Sequence, residues 1–366
     1  MVILAALSGI MALTGLSFLG GDVKGETEET SPSTIDGWLK QGRHAIEQGD
    51  YAAAGHALST ILQLSGNKSS DPRVTAFGSV VMAYGVWQQH PDQIPLIQQH
   101  LQSAIDKDPA WAYPYFFLAR VLSYPEPTNQ IIPVIENALT LDPSLAKAED
   151  FGVLAILYNR KQDYPNAIQA AQHGIERFPT EPMLHMSLAE SLISTNKPLD
   201  GFYELQYAIF IGGSKHPVFV KVKEALHGLI VQYRNERGRQ QQPELFSCLE
   251  AFRLQSEKRF SDSIPLFQQA LSMRPEPHPL LHLFLGEAYL QNNQLEAGIQ
   301  ELKLVTAANP WFAPPYAELG DAYEALKDYE SASEWWNRGI AADSTNWKSQ
   351  QAKASIEHLA KKSKVP

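Results

Sequence analysis

His282-Leu283-Phe284-Leu285-Gly286-Glu287-Ala288-Tyr289 is followed 34 residues later by Tyr316-Ala317-Glu318-Leu319-Gly320-Asp321-Ala322-Tyr323. The two octets agree in residue type at every position but the third: an aromatic or imidazole ring, a small or apolar residue, Leu-Gly, an acid, Ala-Tyr. Downstream of each, Leu302 is matched by Trp336 and Val305 by Gly339 at the same stride. A fixed period of that length marks a stacked supersecondary unit rather than a single compact core.

The period extends towards the N-terminus. Phe151, Leu154, Ala155, Tyr158, Tyr164, Ala167, Ala171, Gly174 and Pro179 keep its internal spacing, and His185, Leu188, Ala189, Leu192, Gly201, Leu205 and Ala208 follow 34 residues on. Tyr115, Leu118, Ala119, Leu122, Ile135, Ala138 and Pro143 form another copy, and Trp38, Gly42, Ala45, Tyr51, Ala54 and Leu58 open the series. Degenerate copies lie around Tyr84-Gly85 with Ile97, Leu101, Ala104 and Pro109, and around Leu254, Phe260, Phe267, Ala270 and Pro275. Apolar residues at i, i+3, i+4 and i+7 place one sticky stripe on each helix. Breaks such as Gln162-Asp163 and Lys327-Asp328 reverse the chain into a second helix. Gly286, Gly320, Ala155 and Ala189 fall where the two helices of a pair approach most closely. Glycine costs a helix roughly 1 kcal/mol against alanine, so tight packing is its reason for being there. Pro143, Pro179, Pro275 and Pro310 stop the second helices, since proline lacks the amide donor and clashes with the preceding turn. One such hairpin cannot cover its own apolar face; its neighbours do.

These residues resemble the tetratricopeptide repeat (TPR) family over residues 35–346, in about eight copies. The resemblance implies an all-α fold, a right-handed superhelical solenoid of antiparallel helix pairs. Two departures stand out: Gln41 where a large apolar residue precedes Gly42, and Pro198 where other copies carry Tyr51, Tyr164 or Tyr329. Residues 217–235 read as one amphipathic helix, and Arg237-Gly238-Arg239-Gln240-Gln241-Gln242-Pro243 as a polar linker. The expected organisation is an apolar signal or membrane anchor at 1–21, a polar linker at 22–34, an N-terminal array at 35–213, a connecting helix and linker at 214–243, a C-terminal array at 244–346, and a capping helix with basic tail at 347–366.

Residues 2–20 carry no charge and approach the ~20 apolar residues that span a bilayer as helix. They predict membrane association or export, with the solenoid outside the cytoplasm, periplasmic or extracellular if bacterial. A buried leading helix in a cytoplasmic TPR adaptor is the alternative.

A formal net charge of −10 argues against general nucleic-acid binding, which requires a basic stripe. A single cysteine, Cys248, excludes an intramolecular disulfide and any cysteine-based metal cluster. His185 with Glu190 and His282 with Glu287 are five residues apart, a helical spacing that turns ligands away from one another, so both histidines are read as packing residues. No HExxH, CxxC, Walker-type loop or Gly-x-Ser-x-Gly occurs, and no catalytic, cofactor-binding or metal-ligating residue is assigned. An enzyme bearing a TPR platform is the remotest reading, because repeats use almost the whole length.

In the resembled family the first helices line a concave groove that holds proteins or peptides. That resemblance implies Met82, Phe116, Arg120, Glu149, Asn159, Met186 and Glu190 as groove residues of the first array, and Leu283, Glu287, Ala317, Asp321 and Glu324 of the second. The acidic members favour basic or apolar partner segments at the C-terminal array. TPR co-chaperones grip a terminal carboxylate with a lysine and an asparagine one turn apart; Gly152 and Ile156, Leu283 and Glu287, and Ala317 and Asp321 at the corresponding places do not supply them. The layout resembles TPR assembly factors of bacterial envelopes, those with a cysteine-rich metal ribbon being excluded by the lone Cys248.

Overall fold

A computed structural model describes residues 32–66, 69–124, 126–273 and 277–362. The apolar run at 2–20, nearly all of the 22–34 linker and Pro275 lie outside these residues. The chain divides into two compact units, residues 1–150 and 151–366. All regular structure among the described residues is helical.

The first unit contains α1 (Ile35–Glu47), α2 (Tyr51–Leu64), α3 (Pro72–Gln89), α4 (Ile94–Lys107), α5 (Tyr113–Leu122) and α6 (Ile132–Leu141). They pack as the hairpins α1–α2, α3–α4 and α5–α6. The core of α1 to α5 is continuous from Leu39 and Ile46 through Phe77 and Leu101 to Val121. Helix α7 (Ala148–Arg160) spans the division.

In the second unit follow α8 (Tyr164–Arg177), α9 (Pro182–Ser194), α10 (Pro198–Gly212), α11 (Val218–Tyr233), α12 (Glu236–Gln241), α13 (Pro243–Ser256), α14 (Phe260–Ser272), α15 (Pro279–Gln291), α16 (Leu295–Ala308), α17 (Pro314–Ala325), α18 (Tyr329–Ala342) and α19 (Trp347–Lys362). Hairpins α9–α10, α13–α14, α15–α16 and α17–α18 stack in sequence order, and α19 packs on α18 and α17. This is the expected solenoid of antiparallel pairs.

One turn builds most of the hairpins. Gly49, Gln162, Asn196, Lys258, Asn293 and Lys327 each have φ between +58° and +82°, and each stands two residues before a second helix. The amide of the next residue then reaches back five residues: Asp163 N donates to Tyr158 O at 2.9 Å, Lys197 N to Leu192 O at 2.8 Å, and Asp328 N to Tyr323 O at 3.0 Å. This is the left-handed helix stop that satisfies carbonyls otherwise orphaned at a helix end. Asp50 and Asp328 then cap the second helices, accepting from Ala53 N at 2.9 Å and Ser331 N at 3.1 Å. Second helices end with Asp142, Phe178 and Asn309 extended, each just before a proline.

The close approach expected at the small residues is present. A Cβ on Gly286 would stand 3.0 Å from Leu302 Cγ, and one on Gly320 would fall on the Trp336 indole. Ala155 and Ala189 are fully buried. Pro198 occupies the first turn of α10, where its missing amide hydrogen is no loss, so that hairpin is regular.

Two expectations about organisation fail. Residues 236–241 of the expected linker form α12: Asn235 caps it by accepting from Gly238 N at 2.9 Å, and the Arg/Gln composition has adequate helix propensity. No core boundary falls at 213–243 either, for one apolar cluster runs from Met186 and Phe202 through Val222, Leu229 and Cys248 to Phe284 and Leu319.

Candidate functional site

Four first helices of the second unit, α9, α13, α15 and α17, present a face that the chain itself fills in large part. Helix α10 lies across them. Phe202 meets Phe252 of α13 at 5.9 Å and Phe284 of α15 at 6.3 Å between ring centroids. Tyr203 stacks on His278 at 4.0 Å and donates to Glu244 at 2.7 Å. Tyr207 packs edge-on against Phe312, just before α17, and accepts from Asn309 Nδ2 at 2.7 Å. Burial holds the Tyr207 hydroxyl well above its usual titration range, with Glu204 adding to the effect. At the end of α10, Asn346 donates to the carbonyls of Phe210 and Ile211 at 3.1 and 3.3 Å, and Trp347 Nε1 to Phe210 O at 3.1 Å. Aromatic rings thus run along α10 from the start of α13 to the start of α19.

This arrangement decides where the groove candidates lie. Phe116, Asn159, Met186, Leu283 and Ala317 are buried within their own unit and present no surface to a partner. Inner first helices are enclosed almost all round, so assigning one side of each helix to a groove overcounted. Asn159 donates to Ser187 O at 3.1 Å and accepts from Ser191 Oγ at 2.7 Å, a buried link between α7 and α9. Arg120 is half-buried, bound to Asp150 at 3.0 and 2.6 Å and facing the Phe116 ring at 5.6 Å. Met82 is half-buried on α3; Glu149 and Glu190 are exposed on α7 and α9.

Glu287, Asp321 and Glu324 reach solvent, and the first two belong to a polar cluster of α15, α17 and α19. Lys348 of α19 binds Glu318. Burial pushes the Glu287 carboxyl up to about 8, Glu318 adds to this, and Lys348 opposes it. Asp321 keeps an exposed edge, yet burial and neighbouring Glu318 raise its carboxyl against the bond from Trp336 Nε1, 3.0 Å away. Burial alone would depress the Lys348 ammonium; Glu318, Glu287 and Asp321 outweigh it and raise it. Three carboxylates gather around one lysine there. Glu318 and Lys348 were missed because Lys348 was counted with the solvated tail and Glu318 stands off the side assigned to the groove.

The two histidines bond within their hairpins. His185 Nδ1 lies 2.7 Å from Glu204 Oε2 and its Nε2 2.9 Å from Pro179 O; His282 Nδ1 lies 2.7 Å from Glu301 Oε2. Among the described residues, no group of three His, Cys, Asp or Glu side chains is arranged to hold a metal ion, and no helix is long and apolar enough to cross a membrane.

Stacked hairpins, most of them closed by the same left-handed turn, define a helical-repeat interaction protein. Residues 254–310 and 313–346 match tetratricopeptide-repeat family models, so that part of the chain carries tetratricopeptide repeats. It is 30% identical over 107 residues to the heat-shock protein cognate co-chaperone sgt12 of Aspergillus fumigatus, a match spanning 29% of this chain and 31% of that one. The chain thus covers about a third of that relative. Among solved structures, the TPR domain of P58(IPK) aligns with 91% of this chain and 99% of its own at 11% identity and a TM-score of 0.32. The MamA protein aligns over 50% and 93% at 14% identity and a TM-score of 0.34. Tetratricopeptide repeats bind protein partners, and the chain is an interaction scaffold in that sense.

Proposed function

We propose that the chain is a non-enzymatic scaffold whose second unit receives a basic or basic-apolar segment of a partner protein at Glu287, Glu318, Asp321 and Glu324. The observation that carries this is Lys348: an ammonium of the chain itself, bound to Glu318 and within Coulomb reach of Glu287 and Asp321, supplies the chemistry a partner's lysine would bring. The carboxylates of Asp321, which is exposed, and Glu324, which is half-exposed, attract such a segment at long range and hold it by charge-assisted hydrogen bonds, with Glu287 and Glu318 lying deeper beside Lys348. Met82, Glu149 and Glu190, the other candidates that reach solvent, extend the same reading to other first helices.

A labelled peptide alternating lysine and leucine, titrated by fluorescence anisotropy, tests the site. Joint Asp321→Asn and Glu324→Gln should weaken binding about tenfold, worth ~1.4 kcal/mol. Lys348→Met, by removing the internal competitor, should strengthen it. Binding indifferent to both variants would refute the site.

The reading includes tethering or export through residues 2–20, with the repeats outside the cytoplasm; recovery in the soluble fraction after an alkaline carbonate wash, without export, would remove it. The fungal co-chaperone's similarity favours a second reading, a co-chaperone-like adaptor. Such an adaptor would work without the carboxylate grip, because Leu283 and Glu287 stand where lysine and asparagine would be needed.

A further inference from the structure

Helix α11 opens a hairpin that is not completed. It begins at residue 218 and α13 at 243, a stride of 25 residues, whereas α7 and α9 begin at 148 and 182, a stride of 34. The shortfall lies in the second helix: α12 has 6 residues, against 15 in α10 and 14 in α16. About nine residues are missing, roughly two and a half turns of helix.

The consequence is visible on α11. Other first helices inside the stack are buried nearly all round: α15 buries Leu283, Phe284, Leu285 and Gly286 in succession, and α9 buries Leu184 through Ala189. Helix α11 buries one stripe only, Val218, Val222, Leu229 and Tyr233. Its opposite face carries Val220, His227 and Val231, spaced seven and four residues apart and therefore aligned, with the exposed Glu224 between the valines. Val220 is 63% and Val231 66% exposed. A Cβ on Gly228, beside this strip, would meet nothing within 4 Å. The short turn is fixed, since a Cβ at Gly238 would strike the Tyr233 carbonyl, so α12 cannot swing over to cover the strip.

Charge identifies what would cover it. In a chain of net charge −10, residues 215–239 contain six lysines and arginines against two glutamates. Lys221 and Lys223 are exposed on α11 and flank the two valines. We propose that this face docks a short amphipathic helix of a partner protein, apolar on one side and acidic along its flanks, which completes the truncated repeat in trans. The partner helix takes the place of the absent second-helix turns, its apolar side on Val220 and Val231 and its carboxylates against the basic rim. The site is separate from the carboxylates of α15 and α17, so either can fail without the other.

A defined probe tests this on the full chain: a labelled, lactam-stapled peptide with the α16 sequence Leu295–Ala308 carrying Lys303→Glu. Saturable micromolar binding at low salt is expected, reduced at least tenfold by the pair Val220→Asp and Val231→Asp and by the pair Lys221→Glu and Lys223→Glu, with helicity by circular dichroism unaltered. A version of the peptide with lysine for every glutamate should not bind. Nine residues of helix-forming sequence inserted after Gln241, completing the second helix in cis, should abolish binding. The proposal is overturned by no saturable binding, by binding that the surface variants leave unchanged, or by a folded insertion variant that still binds. It is equally overturned if phosphatidylserine vesicles bind this face in the peptide's place, or if the chain self-associates through it and Val231→Asp yields monomer.

Discussion

Replacing Gly320 with alanine adds one carbon where the structure has no room for it. The new Cβ lands on the indole of Trp336, with Cγ only 2.7 Å away. Trp336 cannot yield cheaply. It is fully buried, its Nε1 donates to Asp321 at 3.0 Å, and it anchors a small cluster with Ala332 and Ala352 against which Ile356 and Leu359 of α19 pack. Overpacking costs ~1–3 kcal/mol and losing a hydrogen bond to a carboxylate ~1.5–3 kcal/mol, while alanine returns ~1 kcal/mol of helix propensity. The net is a loss of roughly 1.5–5 kcal/mol, concentrated in α17, α18 and α19 because a solenoid's stability is local to each repeat and its neighbours. Hydrogen exchange read by mass spectrometry is the appropriate assay. Amides of α18 and α19 should lose protection in Gly320→Ala while those of α8 and α9 keep theirs. Gly55→Ala is the control, since a Cβ there meets nothing within 4 Å; it should raise local protection by up to ~1 kcal/mol. Unchanged exchange in α18 and α19, or an equal loss from Gly55→Ala, would refute the claim that contact with Trp336 dictates the glycine.

Glu287 titrates in the folded state at about 8, above its unfolded value, so its contribution to stability is complete below the ordinary carboxylate range and is lost as pH rises towards 8. Glu287→Gln should therefore flatten the decline in urea midpoint between about pH 5 and about pH 9, and an identical slope in both proteins would count against the burial assigned to it. Lys327, with φ +65°, holds a left-handed turn without being glycine; Lys327→Gly should raise the thermal midpoint by a gain of up to ~1 kcal/mol, and a lower midpoint would mean the turn geometry is wrong. Arg43 of α1 binds Asp108 at 2.5 Å and lies 4.3 Å from the Trp111 ring, whose Nε1 donates to Glu47 at 2.9 Å. Arg43→Met should destabilise the first unit by ~1–3 kcal/mol by leaving Asp108 half-buried and unpaired, and Asp108→Asn in the same chain should restore part of the loss in a double-mutant cycle.

The hairpins were legible because most copies repeat the same local constraints. A small residue sits at the close approach, a two-residue break precedes an aromatic or apolar helix start, and a proline follows the second helix. The turn at Gln162 and the one at Lys327 could be placed to the residue on that basis. Legibility ended where contacts are not periodic. Nothing in Phe202, Tyr203, Tyr207 and Phe210 says that they cross α13 and α15, since aromatic residues on successive faces of a helix fit any fully enclosed position. Leu283 and Met186 have the right register for a groove and are buried, because register specifies a side of the helix and not what covers it. The Arg/Gln-rich stretch 237–243 lacks an apolar period and so looks like linker; capping by Asn235 and the fit of Gly238 beneath Tyr233 make residues 236–241 helical.

The position of α10 constrains how any partner can use the second unit. A 15-residue helix is about 22 Å long, and first helices in such packing stand ~10 Å apart, so α10 bridges three of them. Its side chains meet Glu244 and Phe252 of α13, His278 and Phe284 of α15 and Phe312 ahead of α17, and its Phe210 carbonyl accepts from Trp347 at the start of α19. Gly213, at φ +66°, lets the chain pass under the Trp347 ring, 2.8 Å from where a Cβ would stand. The apolar half of the first-helix face is therefore satisfied internally, and the carboxylates of Asp321 and Glu324 remain beyond it. A partner that meets this unit gains little apolar burial there and is selected by charge. Such contacts act over roughly the Debye length, ~8–10 Å at physiological salt, and govern association rate more than lifetime. Substitutions in the α10 rings should consequently lower stability with no separate effect on partner selection, whereas Asp321→Asn and Glu324→Gln should slow association, most strongly at low ionic strength, and leave the fold intact.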